Sequence, residues 1–88
     1  MPTASVIIPA YQHAKCIGEA VESVMAQTFR DFEIIVINDG CTDNTEEVLR
    51  PYVEKNLIRY FHQENQGISA TRNRGLSLAT GEFVAFLC

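Results

Sequence analysis

Eighty-eight residues, 47% of them hydrophobic, suffice for one small domain, and such a domain buries only roughly 60–65% of the surface its unfolded chain exposes. The formal net charge of −4, with acidic groups scattered from Glu19 to Glu82 and no run of lysine or arginine, argues against a nucleic-acid or anionic-membrane partner. The cysteines Cys16, Cys41 and Cys88 are odd in number and lack C-x-x-C spacing or grouped histidines, so neither a disulfide framework nor a zinc site is expected, and a reducing cytoplasm fits them best.

In chain order, Ser5-Val6-Ile7-Ile8 is an unbroken apolar run stopped by Pro9, the pattern of a strand buried on both faces. Between Lys15 and Gln27, Ile17, Val21, Val24 and Met25 recur at helical spacing and predict an amphipathic helix. Phe32 to Ile37 is a second β-branched run, ending in the turn-like Asn38-Asp39-Gly40. Asp43 stands three residues before Glu46, the spacing of a capping box, and predicts a second helix through Val48, Leu49 and Val53 that Pro51 breaks or kinks near its end. A third strand is expected at Leu57–Phe61, a third helix at Ser69–Ala79 with Gly81 as its stop, and a fourth strand at Phe83–Leu87.

Strands alternating with helices imply βαβ units, a parallel sheet and right-handed crossovers. No apolar run approaches the ~18 residues of a membrane span, and Met1 to Ala4 lack the features of a signal peptide, so a soluble chain is expected. In such sheets ligands collect beyond the carboxyl ends of the strands. Pro9-Ala10-Tyr11, Asn38-Asp39-Gly40 and the segment Asn65 to Arg74 all fall there.

Each candidate at that edge has two readings. Tyr11 either stacks on a nucleobase or packs its loop. Asp39 either accepts hydrogen bonds from a base N–H or a ribose hydroxyl, or forms an Asx turn before Gly40. Arg72 and Arg74 either meet a phosphate together with the free N–H groups at the start of the third helix, or lie on a solvated face. Gly75 within that helix marks close packing on a strand or simple tolerance. His13 and His62 have no partner at ligand or nucleophile spacing, and neither a dinucleotide nor a P-loop glycine fingerprint is present.

Taken together, Ser5 to Tyr11, Ser23-Val24-Met25-Ala26-Gln27-Thr28, Asp31 to Asp43, Asn65 to Leu76 and Gly81 to Leu87 resemble the family 2 glycosyltransferases in order and spacing, over essentially the whole chain. The resemblance implies an α/β fold, half of a Rossmann-like GT-A domain: three layers, with a four-stranded parallel sheet in order 3-2-1-4. It implies a nucleotide-diphosphate-sugar site, usually for a uridine donor, in an enzyme that transfers the sugar with inversion. It also implies that Pro9, Ala10, Tyr11, Asp39 and Arg72 form the nucleotide site, with Tyr11 on the base, Asp39 bonded to it and Arg72 lining the same place.

Gln12, Cys41 and Thr71 stand where the family usually has asparagine, serine and alanine, and Cys88 stands at the first aspartate of its D-x-D motif, which holds Mg²⁺ or Mn²⁺. Residues 1–88 are therefore expected to be one truncated nucleotide-sugar-binding domain without metal or catalytic residues of its own, inactive alone; the alternative is a non-catalytic scaffold or interaction module. The fourth strand, at a sheet edge with no lysine, proline or charge between Phe83 and Cys88, predicts a two-fold homodimer through that edge.

Overall fold

The computed structural model describes residues 4–10, 14–26, 31–40 and 44–87, with the backbone alone at 14–16. Along it run β1 (Ala4–Ala10), α1 (Ala14–Met25), β2 (Phe32–Asp39), α2 (Thr45–Glu54), β3 (Arg59–Gln63), α3 (Ile68–Leu78) and β4 (Phe83–Phe86). The strands form one parallel sheet in the expected order β3-β2-β1-β4.

Successive strand residues face opposite sides of a sheet. On one side Ile8, Ala10, Ile34 and Val36 pack with Ile17, Val21 and Val24 of α1, Leu49 of α2 and Ile58. On the other, Ile7, Ile35 and Ile37 lie with Phe61, Leu78 and Ala79 in the layer of α3. Both faces are covered, so β1 and β2 read as continuous apolar runs rather than alternating ones.

Local chemistry moved some boundaries. The third strand begins at Arg59, two residues later than expected, because α2 ends in a Schellman motif. Asn56 takes the left-handed conformation at φ 57°, its N–H bonds the Val53 carbonyl at 3.0 Å, and the Leu57 N–H reaches back to the Tyr52 carbonyl at 2.9 Å. Leu57 thus belongs to the end of the helix. Pro51 does not end α2, which continues through Glu54. Pro51 and Glu47 are both exposed, so water can serve the Glu47 carbonyl that the missing N–H leaves unpaired. Asp43, expected as a cap, lies outside the described residues; Asn44, at the capping position, makes no side-chain capping bond.

α3 is the least amphipathic helix, and it docks through small residues. Thr71 and Gly75 are buried, and a Cβ on Gly75 would stand 2.5 Å from Cγ2 of Ile7. Of the two readings of Gly75, close packing is the one the structure supports: the helix lies on β1 at a distance only glycine permits. β4 pairs with β1 and is an outer strand, with Phe83 65% and Phe86 41% exposed.

Candidate functional site

The α3 face of β2 presents Glu33, Ile35, Ile37 and Asp39, two isoleucines between two carboxylates. The isoleucines make the apolar bed of the helix. The carboxylates secure its two ends.

Asp39, 4% exposed at the carboxyl end of β2, accepts four hydrogen bonds. Its Oδ1 receives Gln63 Nε2 at 2.9 Å and the Gln66 N–H at 2.8 Å. Its Oδ2 receives the Gly67 N–H at 3.1 Å and Asn65 Nδ2 at 3.3 Å. Burial pushes the Asp39 pKa upward, but hydrogen bonds from Gln63, the Gln66 and Gly67 N–H groups and Thr71 outweigh it and hold the carboxyl below its usual value. The amides of Gln66 and Gly67, just ahead of α3, are thus held by the side chain at the end of the neighbouring strand.

Gln63 is the hub behind Asp39. Its side chain is buried; Nε2 also reaches Thr71 Oγ1 at 3.2 Å, and Oε1 accepts from Arg74 Nη1 at 2.9 Å. The Thr71 hydroxyl donates to the Gly67 carbonyl at 2.8 Å, tying the first turn of α3 to the same network. Gly40, at φ 76°, lets the loop lie on the strand end, since a Cβ there would stand 2.7 Å from the Asn65 nitrogen. Sequence reasoning did not assign roles to Gln63, Asn65 or Thr71. Gln63 shares its strand parity with Arg59 and Phe61, a signal readable only once the start of β3 is known.

The two arginines flank α3 on opposite sides. Arg72 is exposed with its guanidinium carbon 5.6 Å from the Phe86 ring centroid, toward β4. Arg74 lies 5.7 Å from the Phe61 ring and is bonded to Gln63, toward β3. It is Arg74 that the structure joins to Asp39, through Gln63. Pro9 and Ala10 stand at the end of β1, paired with Ile37 and Asn38. Tyr11 lies outside the described residues, as do Cys41 and Cys88.

At the other end of the sheet, Glu33 accepts from Arg59 Nη1 at 2.9 Å, from the Thr80 N–H at 2.8 Å and hydroxyl at 2.9 Å, and from Ser5 Oγ at 2.5 Å. Arg59 also donates to the Leu78 carbonyl at 2.9 Å, and Gly81 N–H donates to Ser5 Oγ at 2.9 Å. Burial pushes the Glu33 pKa up, yet the bonds from Ser5, Thr80 and Arg59 outweigh it and bring it to about 2.

Among the described residues no three His, Cys, Asp or Glu side chains come together as metal ligands. Glu33 and Asp39 are engaged with N–H and O–H donors.

A family model described as glycosyl transferase family 2 matches residues 5–87. A glycosyltransferase of Rickettsia felis, itself uncharacterised, is 46% identical over 83 residues, spanning 94% of this chain and 14% of that protein. S. aureus TarS, solved in complex with UDP-GlcNAc, superposes with a TM-score of 0.87 at 35% identity, over 99% of this chain and 26% of that one. The mannosyltransferase PcManGT of Pyrobaculum calidifontis, solved with GDP-Man and Mn²⁺, gives a TM-score of 0.82 at 28% identity, over 94% of this chain and 26% of that one. The chain thus spans about a quarter or less of these relatives. With its sheet order and flanking helices those of the amino-terminal part of GT-A enzymes, the chain belongs to glycosyl transferase family 2.

Proposed function

We propose that this chain is the nucleotide-diphosphate-sugar-binding part of an inverting glycosyltransferase, with a uridine nucleotide as the base-bearing half of its donor. The observation that carries this reading is the buried Asp39 at the carboxyl edge of the sheet, an acceptor-only group whose partners are all neutral. Such a group suits the N–H of a nucleobase. Pro9 and Ala10 end β1 in the strand beside it, with Tyr11 next in the sequence, and Arg72 supplies a cation on the β4 flank of α3. The relatives solved with UDP-GlcNAc and GDP-Man support a nucleotide sugar as ligand.

In this reading the 88 residues bind and orient the donor, and they do not transfer sugar by themselves. A bound Mg²⁺ or Mn²⁺ would neutralise charge on the leaving diphosphate, and its carboxylates would come from outside the described residues. The β4 edge, apolar and exposed, pairs with a second copy in a two-fold dimer, and a reducing cytoplasm is the compartment that suits the cysteines.

Calorimetric titration with UDP-sugar tests the proposal. Micromolar-to-millimolar binding without added metal is expected, weakened by about 1–3 kcal/mol in Asp39→Ala. No heat with any nucleotide sugar would leave the scaffold reading in its place.

A further inference from the structure

Asp39 carries more than its role in the proposed donor site requires, and the surplus identifies Asn65. A carboxylate offers about four good acceptor positions. All four are filled, two on each oxygen. A ligand N–H that bonds Asp39 must therefore displace one of the resident donors.

The four are not equally replaceable. Gln63 is 7% exposed and joined to Thr71 and Arg74, so losing Asp39 would strand a buried amide. The N–H groups of Gln66 and Gly67 belong to the main chain, and moving them means moving the loop that leads into α3. Asn65 differs on each count. Its residue is exposed, its bond to Oδ2 is the longest of the four at 3.3 Å, and its other contact, to the Asp39 carbonyl, is 3.2 Å. Rotating that side chain outward hands its amide to water at little cost. The Asn65 backbone can stay where it is, lying against Gly40.

Resting on the donor-site reading above, we infer that Asn65 is an internal competitor for the nucleobase: its side-chain N–H holds the Asp39 acceptor site in the empty protein and is displaced by a base N–H when the donor binds. The exchange is donor for donor. A base whose facing edge carries an N–H, uracil or guanine, can complete it. Cytosine, whose ring nitrogen at the equivalent position is an acceptor, would face the carboxylate with like against like. The choice of base then rests with the Asp39 carboxylate, and Asn65 lowers the affinity of a ligand that displaces it, while a base that leaves the Asn65 bond in place is unaffected.

The test is a calorimetric comparison of UDP and CDP binding to the protein and to Asn65→Ala, in a loop position whose side chain is exposed. Removing the competitor should tighten UDP roughly three- to tenfold, the equivalent of about 1 kcal/mol, and leave CDP unchanged. In the unsubstituted protein, saturation with UDP should move the Asn65 side-chain NH₂ resonances to solvent-exposed positions. Equal or weaker UDP binding by Asn65→Ala, or NH₂ resonances that do not move, would overturn the competition while leaving the donor site standing. A parallel gain for CDP would overturn it as well, pointing to general loosening of the loop. If the unsubstituted protein binds no nucleotide at all, the donor-site reading falls, and the competition with it.

Discussion

The two carboxylates of β2 occupy the same face, four hydrogen bonds each, and secure opposite ends of one helix, yet their partners differ in kind. Glu33 is bonded to a guanidinium, two hydroxyls and one amide N–H. Asp39 has only neutral partners, four amide N–H groups, two from side chains and two from the main chain, with the Thr71 hydroxyl also lowering its pKa, and Arg74 reaches it only through Gln63. A charge-compensated carboxylate joined to strand starts and the α3–β4 turn is suited to holding the fold together. A carboxylate surrounded by neutral donors, one of them exposed, can exchange a donor for a similar group on a ligand. The chemistry of the neighbours, more than burial, separates a structural clamp from a candidate site.

The strongest way to break this comparison is Glu33→Ala. Arg59, Thr80 and Ser5 would lose their shared acceptor, and the unfolding free energy in urea should fall by about 3 kcal/mol. Nucleotide affinity of the remaining folded protein should hardly change. An equally large loss of affinity would mean that the two ends are not separable.

Acid removes the same contribution reversibly. A carboxyl whose pKa is depressed on folding contributes stability above its unfolded value and loses it as pH falls toward the folded one. For Glu33 the window runs from about 4.5 down to about 2, worth roughly 3 kcal/mol. Asp39 acts in the same direction, below its ordinary 3.8. Stability followed by circular dichroism should be flat above pH 5 and drop steeply below 4; in Glu33→Gln the drop should be much smaller, leaving mainly the Asp39 share.

Gly40→Ala addresses the other end. Its positive φ strains any side chain, and the added Cβ would press on the Asn65 backbone, so a cost of about 1–2 kcal/mol is expected. Because the displaced loop is the one Asp39 holds, nucleotide binding should weaken too, with amide exchange rising at 64–67 and staying unchanged around Thr80. The smallest effect belongs to Thr71→Val, which deletes one buried hydroxyl from the Gln63 network for about 1 kcal/mol. Should Thr71→Val cost nothing in either stability or binding, Asp39 and Arg74 suffice to position Gln63.

Much of the fold was legible because its signals are local or periodic. The unbroken runs of β1 and β2 indicated strands covered on both faces, the spacing of Ile17, Val21 and Val24 gave α1 its buried stripe, and alternation of strands with helices required parallel crossovers. Order and spacing of the motifs identified the family and, through it, strand order. The start of β3 was less accessible, since Leu57 reads as strand by composition and is drawn into the end of α2 by the left-handed Asn56. How far α2 runs past Pro51 was open for a related reason: the price of a missing N–H depends on whether water can reach the carbonyl it leaves, which is set by how the helix faces the sheet.

At the site, the sequence by itself determined that Asp39 stands at the end of a buried strand and that Asn65 to Arg74 leads past it into a helix. Only the tertiary structure decided what those groups do to one another. Residues 24 to 28 positions apart in the chain, Gln63, Asn65, Gln66 and Gly67, converge on one carboxylate because parallel pairing sets Gln63 beside Asp39 and Gly40 admits the loop above them. Which of two arginines joins that network was likewise undecided until α3 was docked, since residues two apart on a helix point to opposite flanks. Hydrogen-bond capacity belongs to the residue type and can be read from sequence; which partner fills it depends on distances that only packing fixes.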